Sequence, residues 1–177
     1  MNICVFCGSG DGDLPIFKSA AEEFGALIAQ KGHLLVYGGA DIGLMGAIAD
    51  SVMAHGGRVT GIIPEFLFEK EIAHLGISEL ITVKSMHERK MRMAMLADAF
   101  VAMPGGWGTL EELAEILTWK QLQLTEKPVA ILNVDQFFTP LIAMMQSMVE
   151  HRFLAKENLD NLIVSNSAQE LSIALNL

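Results

Sequence analysis

The sequence predicts an α/β protein: a Rossmann-like, doubly wound parallel sheet of about seven strands with helices on both faces. Three observations carry that expectation. Short runs rich in Val and Ile recur along the chain, helical patterns fill the gaps between them, and glycines cluster just past several of the runs. A strand that is apolar on both faces belongs in a sheet covered on both sides, and parallel neighbours need a crossover helix between them.

The first run, NICVFCG, starts at Asn2. After it, Phe17, Ala20, Ala21, Phe24, Leu27 and Ile28 keep the spacing of an amphipathic helix, with Pro15 near its start and Gly32 beyond its end. HLLVYGG is the second strand, followed by a helix over 44–55, and RVTGIIP is the third. The segment 65–76 is less regular and reads as a loop-helix insertion. LITVKS then leads to a helix over 86–97, and AFVAMPG to one over 109–122. PVAILNV and LIVS complete the sheet, each with its helix, over 139–151 and 168–175. No linker, repeat or composition shift divides the chain, so a single domain, 1–177, is expected.

Lys and Arg number 12 against 21 Asp and Glu, a formal charge of −9. Nucleic acid and anionic membranes recruit net basic footprints, so neither is expected as a partner. With 51% hydrophobic residues the chain can bury a full core. No apolar run approaches the roughly 20 residues of a membrane span, and MNICVFCG has no basic leader, so the expected location is cytoplasmic. Cys4 and Cys7 form a C-x-x-C, a spacing shared by redox pairs and zinc half-sites. Within a strand, however, residues three apart point to opposite faces, so no disulfide is expected. His33, His55, His74, His87 and His151 show no short paired spacing, and no metal site is expected.

Gly8, Gly10 and Gly12 follow the first strand, Gly38, Gly39, Gly43 and Gly46 the second, and Gly105, Gly106 and Gly108 the fifth. In a doubly wound sheet, ligands lie beyond the carboxyl ends of the strands. Glycine lets backbone approach a ligand closely, and a helix start behind it supplies unbonded N–H groups and a positive dipole end. One such turn is ordinary loop geometry, whereas three on one edge point to a phosphate-and-sugar crevice. The first turn reads Gly8-x-Gly10-x-x-Asp13 rather than a dinucleotide fingerprint, and there is no G-x-x-x-x-G-K-[ST]. A mononucleotide or another small phosphate remains.

Four cations, Lys84, Arg89, Lys90 and Arg92, lie close together in KSMHERKMR. Glu88 and Arg92 have the spacing of an ordinary i, i+4 pair on a solvated face. Alternatively, cations at a helix start oppose its dipole, a cost that an anionic ligand offsets. Thr109-x-x-Glu112 fits a capping box. It also puts Glu111 and Glu112 beside a phosphate-binding turn, where acids repel the ligand unless they act on positive charge.

PGGWGTLEE resembles the P-G-G-x-G-T-x-x-E signature of the LONELY GUY family, the cytokinin riboside 5′-monophosphate phosphoribohydrolases, many of which carry an older lysine decarboxylase label. CVFCGSGDGDLP, LVYGGADIGLMGAIAD, GIIPEFL, SMHERKMRMAMLADAF and LTWKQLQLTEKPVAILN are similar to further segments of that family, extending the resemblance over residues 1–153. Gly10 stands where a second Ser is usual, Ala40 where a third Gly is common, and Trp107 where Tyr is common. The resemblance implies a catalytic pair, Arg89 and Glu112. It implies phosphate contacts from Gly105, Gly106, Gly108 and Thr109, and nucleotide contacts from Gly8, Ser9, Gly38, Gly39, Met86 and Lys90. The implied reaction splits the N-glycosidic bond of an adenine-type nucleoside 5′-monophosphate into free base and ribose 5-phosphate. No cofactor is implied, and at least a homodimer is, with active sites near the subunit interface.

Such a cleavage passes through an oxocarbenium-like state, which a carboxylate stabilises while also orienting or deprotonating water. Glu112 suits both roles; Arg89 stays protonated and suits orientation and charge screening. Trp107, Met103 and EFLFEKEIAHLG are the places to look for a pocket for the base and its side chain. Two other readings use the same residues differently. A non-catalytic nucleotide-binding or carrier module would hold the ligand without turnover. A pyridoxal-phosphate decarboxylase would need a Schiff-base lysine, for which no lysine here has support. Trp119, Leu122, Leu124 and the methionine-rich FFTPLIAMMQSMVEHRF suit either core packing or a subunit interface.

Overall fold

The computed structural model describes residues 1–68 and 73–177. Its strands are β1 (Asn2–Phe6), β2 (Leu34–Tyr37), β3 (Arg58–Pro64), β4 (Glu79–Val83), β5 (Ala99–Ala102), β6 (Val129–Leu132) and β7 (Leu162–Ser165). They form one sheet in the order β4-β3-β2-β1-β5-β6-β7, every adjacent pair parallel. The helices are α1 (Pro15–Gln30), α2 (Gly43–Ala54), α3 (Met86–Leu96), α4 (Trp107–Gln121), α5 (Thr139–Glu150), α6 (Lys156–Asp160) and α7 (Ala168–Ala174).

The central strands β1, β2, β5 and β6 are apolar on both faces because both faces are covered. Ile3, Val5 and Cys7 pack with Leu35, Tyr37, Val101 and Met103 against α1, α2 and α7. Cys4 and Phe6 pack with Val36, Phe100 and Ile131 against α3, α4 and α5. The two cysteines thus face opposite layers, as their strand spacing requires, and both are unpaired and buried. None of the helices among the described residues is long and apolar enough to cross a membrane.

Several boundaries differ from those read in the sequence. The helix expected from residue 109 starts at Trp107 behind an N-cap Gly106, and no side chain caps it. Thr109 is therefore already inside the helix, and Thr109-x-x-Glu112 is not a capping box. That device occurs instead at Ser85/Glu88 and Ser167/Glu170, which start α3 and α7. Ser85 Oγ accepts the Glu88 N–H (3.1 Å) while the Glu88 carboxylate accepts the Lys84 N–H (2.9 Å). Ser167 and Glu170 repeat the exchange with Asn166. Glu88 is thus committed to the backbone rather than to Arg92. The five-residue α6 was not expected, since it is too short to show a helical period. Of the expected insertion 65–76, Glu65–Leu67 forms one 3₁₀ turn, Ala73 bridges Ala40, and residues 69–72 lie outside the described residues.

The chain runs outward from β1 to β4 and then returns to place β5 on the other side of β1. That reversal opens a crevice beyond the carboxyl ends of β1 and β5.

Candidate active site

The turns after β1 and β5 meet in the crevice. Gly8 donates its N–H to the Pro104 carbonyl at 3.0 Å. A Cβ on Gly105 would overlap the Thr109 hydroxyl and stand 2.8 Å from the Gly8 nitrogen, so only glycine lets these turns touch. Thr109 is correspondingly buried, 4% exposed. Beyond Gly106 the first turn of α4 has no side-chain cap. The residues that carry its leading N–H groups, Trp107, Gly108 and Thr109, line a cavity of about 230 Å³. An uncapped helix start at a cavity suits an anion, through both its N–H groups and its dipole.

Arg89 and Glu112 reach the same cavity from α3 and α4. Arg89 is 5% exposed. Its Nε donates to the Ile62 carbonyl (3.1 Å) and its Nη2 to the Gly38 carbonyl (2.7 Å), beside a weaker Nη1 contact to Met86 Sδ at 3.8 Å. Gly38 leaves room for this: a Cβ there would overlap the guanidinium and lie 2.9 Å from Met45 Sδ. Glu112 is half-buried. Burial, and then the charge of Glu112, push the Cys7 thiol well above its ordinary range. Cys7 lines the cavity as an inert thiol, not a nucleophile.

Of the residues singled out in the sequence, Gly8, Ser9, Gly38, Met86, Arg89, Gly106, Gly108, Thr109 and Glu112 all line this cavity. Gly105 lines an adjoining one of about 320 Å³, which shares Gly8, Ser9 and Gly106 with it. Gly39 sits behind the site, packed on Ile62 and Ile63 with its carbonyl accepting the His74 N–H. Lys90 is not among the lining residues; it pairs with Glu111 and Glu115 of α4. Met103, expected near the base, does not join the lining residues. It is wholly buried in the α1–α2 layer and cannot form a wall for a base. Trp107 does line the site, 86% exposed at its mouth. Leu67, Met45 and Met93 complete the apolar lining. Met93 was available from the sequence, because Met86, Arg89 and Met93 share one helical stripe.

The fold also gathers Asp41, Asp50 and His74, whose ligand atoms lie within 4.8 Å of one another. Sequence spacing could not reveal this, since His74 comes from a different segment than the two acids. His74 Nε2 is 3.0 Å from Asp50 Oδ1 and 3.6 Å from Asp41 Oδ1. Its Nδ1 faces the Gly76 N–H at 3.2 Å. Nδ1 is therefore the acceptor and Nε2 carries the proton toward Asp50, whereas a metal on Nε2 would need that proton on Nδ1. The trio is a hydrogen-bonded contact rather than a ligand set.

A profile of the family described as "Possible lysine decarboxylase" matches residues 45–175. Cytokinin riboside 5′-monophosphate phosphoribohydrolase LOG of Oryza sativa subsp. japonica is 43% identical over 173 residues, covering 98% of this chain and 72% of its own. LOG1 of Arabidopsis thaliana is 43% identical over 169 residues, 96% of this chain and 79% of its own. Among solved structures, the X-ray structure of TM1055 superposes with a TM-score of 0.77 at 21% identity, covering 99% of this chain and 98% of its own. The molybdenum cofactor binding protein of Rippkaea orientalis does so at 0.73 and 23%, covering 99% and 97%. At those identities the two structures establish the Rossmann-like fold and nothing finer. The curated relatives span nearly the whole of this sequence, both site motifs included, and with the family profile they show that the chain belongs to the LOG family.

Proposed function

We propose that this protein hydrolyses the N-glycosidic bond of adenine-type nucleoside 5′-monophosphates, cytokinin nucleotides among them, to free base and ribose 5-phosphate. One observation carries the reading: an uncapped helix start, a carboxylate and a buried guanidinium converge on one cavity at the sheet's reversal point. The names of the curated relatives support it.

The 5′-phosphate sits on the first turn of α4, where N–H groups and dipole receive it without a lysine-rich site. Glu112 lies just over one turn further along the same helix. The sugar attached to that phosphate therefore reaches its carboxylate. As the glycosidic bond lengthens, positive charge develops on the ribose, and the carboxylate stabilises it in a half-buried site where the attraction exceeds that in water. The same carboxylate orients the water that attacks the anomeric carbon and takes its proton. The base leaves with the bonding electron pair and takes up one proton, so that one water is consumed and no net proton is released. Arg89 holds a permanent charge in a fixed place, since two backbone carbonyls grip it. It serves to orient substrate and carboxylate, not to donate a proton. None of these steps requires a cofactor.

A homodimer belongs to the same proposal. Met91, Met95, Leu122, Leu124, Met144 and Phe153 are exposed on or beside α3, α4 and α5, which all cover one face of the sheet. A second copy over that layer would bury them.

The test is chromatography of the protein incubated with AMP and with isopentenyladenosine monophosphate. Free base should appear together with ribose 5-phosphate, and Glu112→Gln should abolish release while still binding nucleotide. Binding without release in the wild type would overturn the hydrolase reading and leave a binding module.

A further inference from the structure

We propose that Lys90 is a positioning residue, which sets Glu112 opposite Arg89 by tying α4 to α3, and does not contact the nucleotide. The proposal rests on the catalytic reading of Arg89 and Glu112 above. The two helices carry their charges in matched neighbours: Arg89 and Lys90 on α3, Glu111 and Glu112 on α4. Lys90 Nζ bonds the Glu111 carboxylate and reaches Glu115 at 3.2 Å. Only 11% of the Lys90 side chain is exposed, against 29% for Glu115 and 55% for Glu111. Most of the side chain is thus covered, and its ammonium is held by two carboxylates of the neighbouring helix. Burial alone would pull its pKa down, yet the bonds from the two carboxylates raise it overall, so its charge is secure.

The geometry gives this tie its purpose. Arg89 is held from below by the carbonyls of Gly38 and Ile62, which fixes α3 against the ends of β2 and β3. α4 starts on a glycine turn with no side-chain cap. Its first turns need lateral support if Glu112 is to keep one position, and the residue beside Glu112 is the one Lys90 holds. The tie also neutralises the two acids flanking Glu112. Without it, three carboxylates would stand close to a bound phosphate.

The decisive variant is Glu111→Gln/Glu115→Gln, which cuts the tie while leaving Lys90 its charge. A displaced catalytic group of about 1 Å costs on the order of 100-fold in rate. Positioning therefore predicts that kcat falls roughly tenfold to 100-fold with KM nearly unchanged. Adding Lys90→Met to the double variant should do no further harm, and Lys90→Arg alone, which keeps the tie, should retain most of kcat. A direct contact predicts the reverse: the double variant keeps kcat and binds at least as well, and adding Lys90→Met raises KM sharply. That outcome would overturn the proposal. Amide hydrogen exchange over residues 107–115 supplies a readout without turnover. Exchange should accelerate in Lys90→Met and in the double variant alike, and protection unchanged from wild type would also overturn it. Failure of the wild type to release base from AMP or isopentenyladenosine monophosphate would count against the hydrolase reading, with the exchange experiment still deciding the role of Lys90.

Discussion

Adding one methyl group at Gly38 tests whether the place of Arg89 is set by backbone contact. Gly38 does not have a positive φ, so alanine meets no backbone penalty there; its Cβ meets the guanidinium and, at 2.9 Å, Met45 Sδ. Restoring van der Waals separation moves the guanidinium by about 1 Å. That breaks or bends the 2.7 Å bond from Nη2 to the Gly38 carbonyl. A hydrogen bond to a charged group contributes about 1.5–3 kcal/mol. Replacing glycine returns about 0.4–1 kcal/mol by restricting the unfolded chain. Gly38→Ala should therefore lose about 0.5–2.6 kcal/mol of stability, read by urea denaturation. On the proposed reading, its activity on AMP should fall on the order of 100-fold, the loss that a displacement of about 1 Å can cause. Wild-type stability together with activity within about twofold of wild type, a loss of under about 0.5 kcal/mol of barrier, would refute the idea that this close approach holds Arg89 in place.

Other outcomes follow from the same structure. Both thiols are pushed up by burial first and by the charge of Glu112 second, so the folded chain keeps protons that the unfolded chain sheds above its ordinary thiol pKa of about 8.5. Stability from this source is flat below that pH and falls above it by about 2.7 kcal/mol per pH unit for two thiols; a Cys4→Ala/Cys7→Ala variant should lose that slope, and an identical slope in the variant would contradict the assignment. Ser85→Ala and Ser167→Ala should each cost about 1 kcal/mol through loss of a cap, whereas Thr109→Val should cost no such term in thermal melts. Light scattering should return twice the 19.2 kDa chain mass. Met95→Asp with Leu124→Asp should halve it, and a wild-type monomer would end the dimer proposal.

The elements themselves were legible because each strand is a short apolar run and each long helix repeats its apolar residues at helical spacing. The strand order was not, since no local pattern says that β5 returns to lie beside β1; that depends on which faces remain to be covered. The start of α4 departs from its local pattern for a related reason. Thr-x-x-Glu is a local pattern, but Gly106 releases the backbone into the helix before Thr109 is reached, and Thr109 is then needed inside, against Gly105. Among site residues, those on one helical stripe or one glycine turn were within reach of sequence reasoning. Leu67 and Met45 were not, because separate segments bring them to the cavity. Lys90 shows a different limit. A charge pattern places a cation near the crevice, and only the positions of Glu111 and Glu115 decide whether it faces inward or is already engaged.

The grip of β2 and β3 on Arg89 has a practical consequence for anyone building an inactive version of this protein. On the proposed reading, removing the arginine would silence the chemistry and at the same time take from the Gly38 and Ile62 carbonyls the donors that Arg89 supplies. A cell carrying that variant would lose activity and abundance together, and its phenotype could not be assigned to either. Glu112→Gln changes the charge of a half-buried side chain and keeps its shape. On the proposed reading it is the cleaner inactive version for complementation and for trapping bound nucleotide, whereas Arg89 variants would report on folding as much as on catalysis.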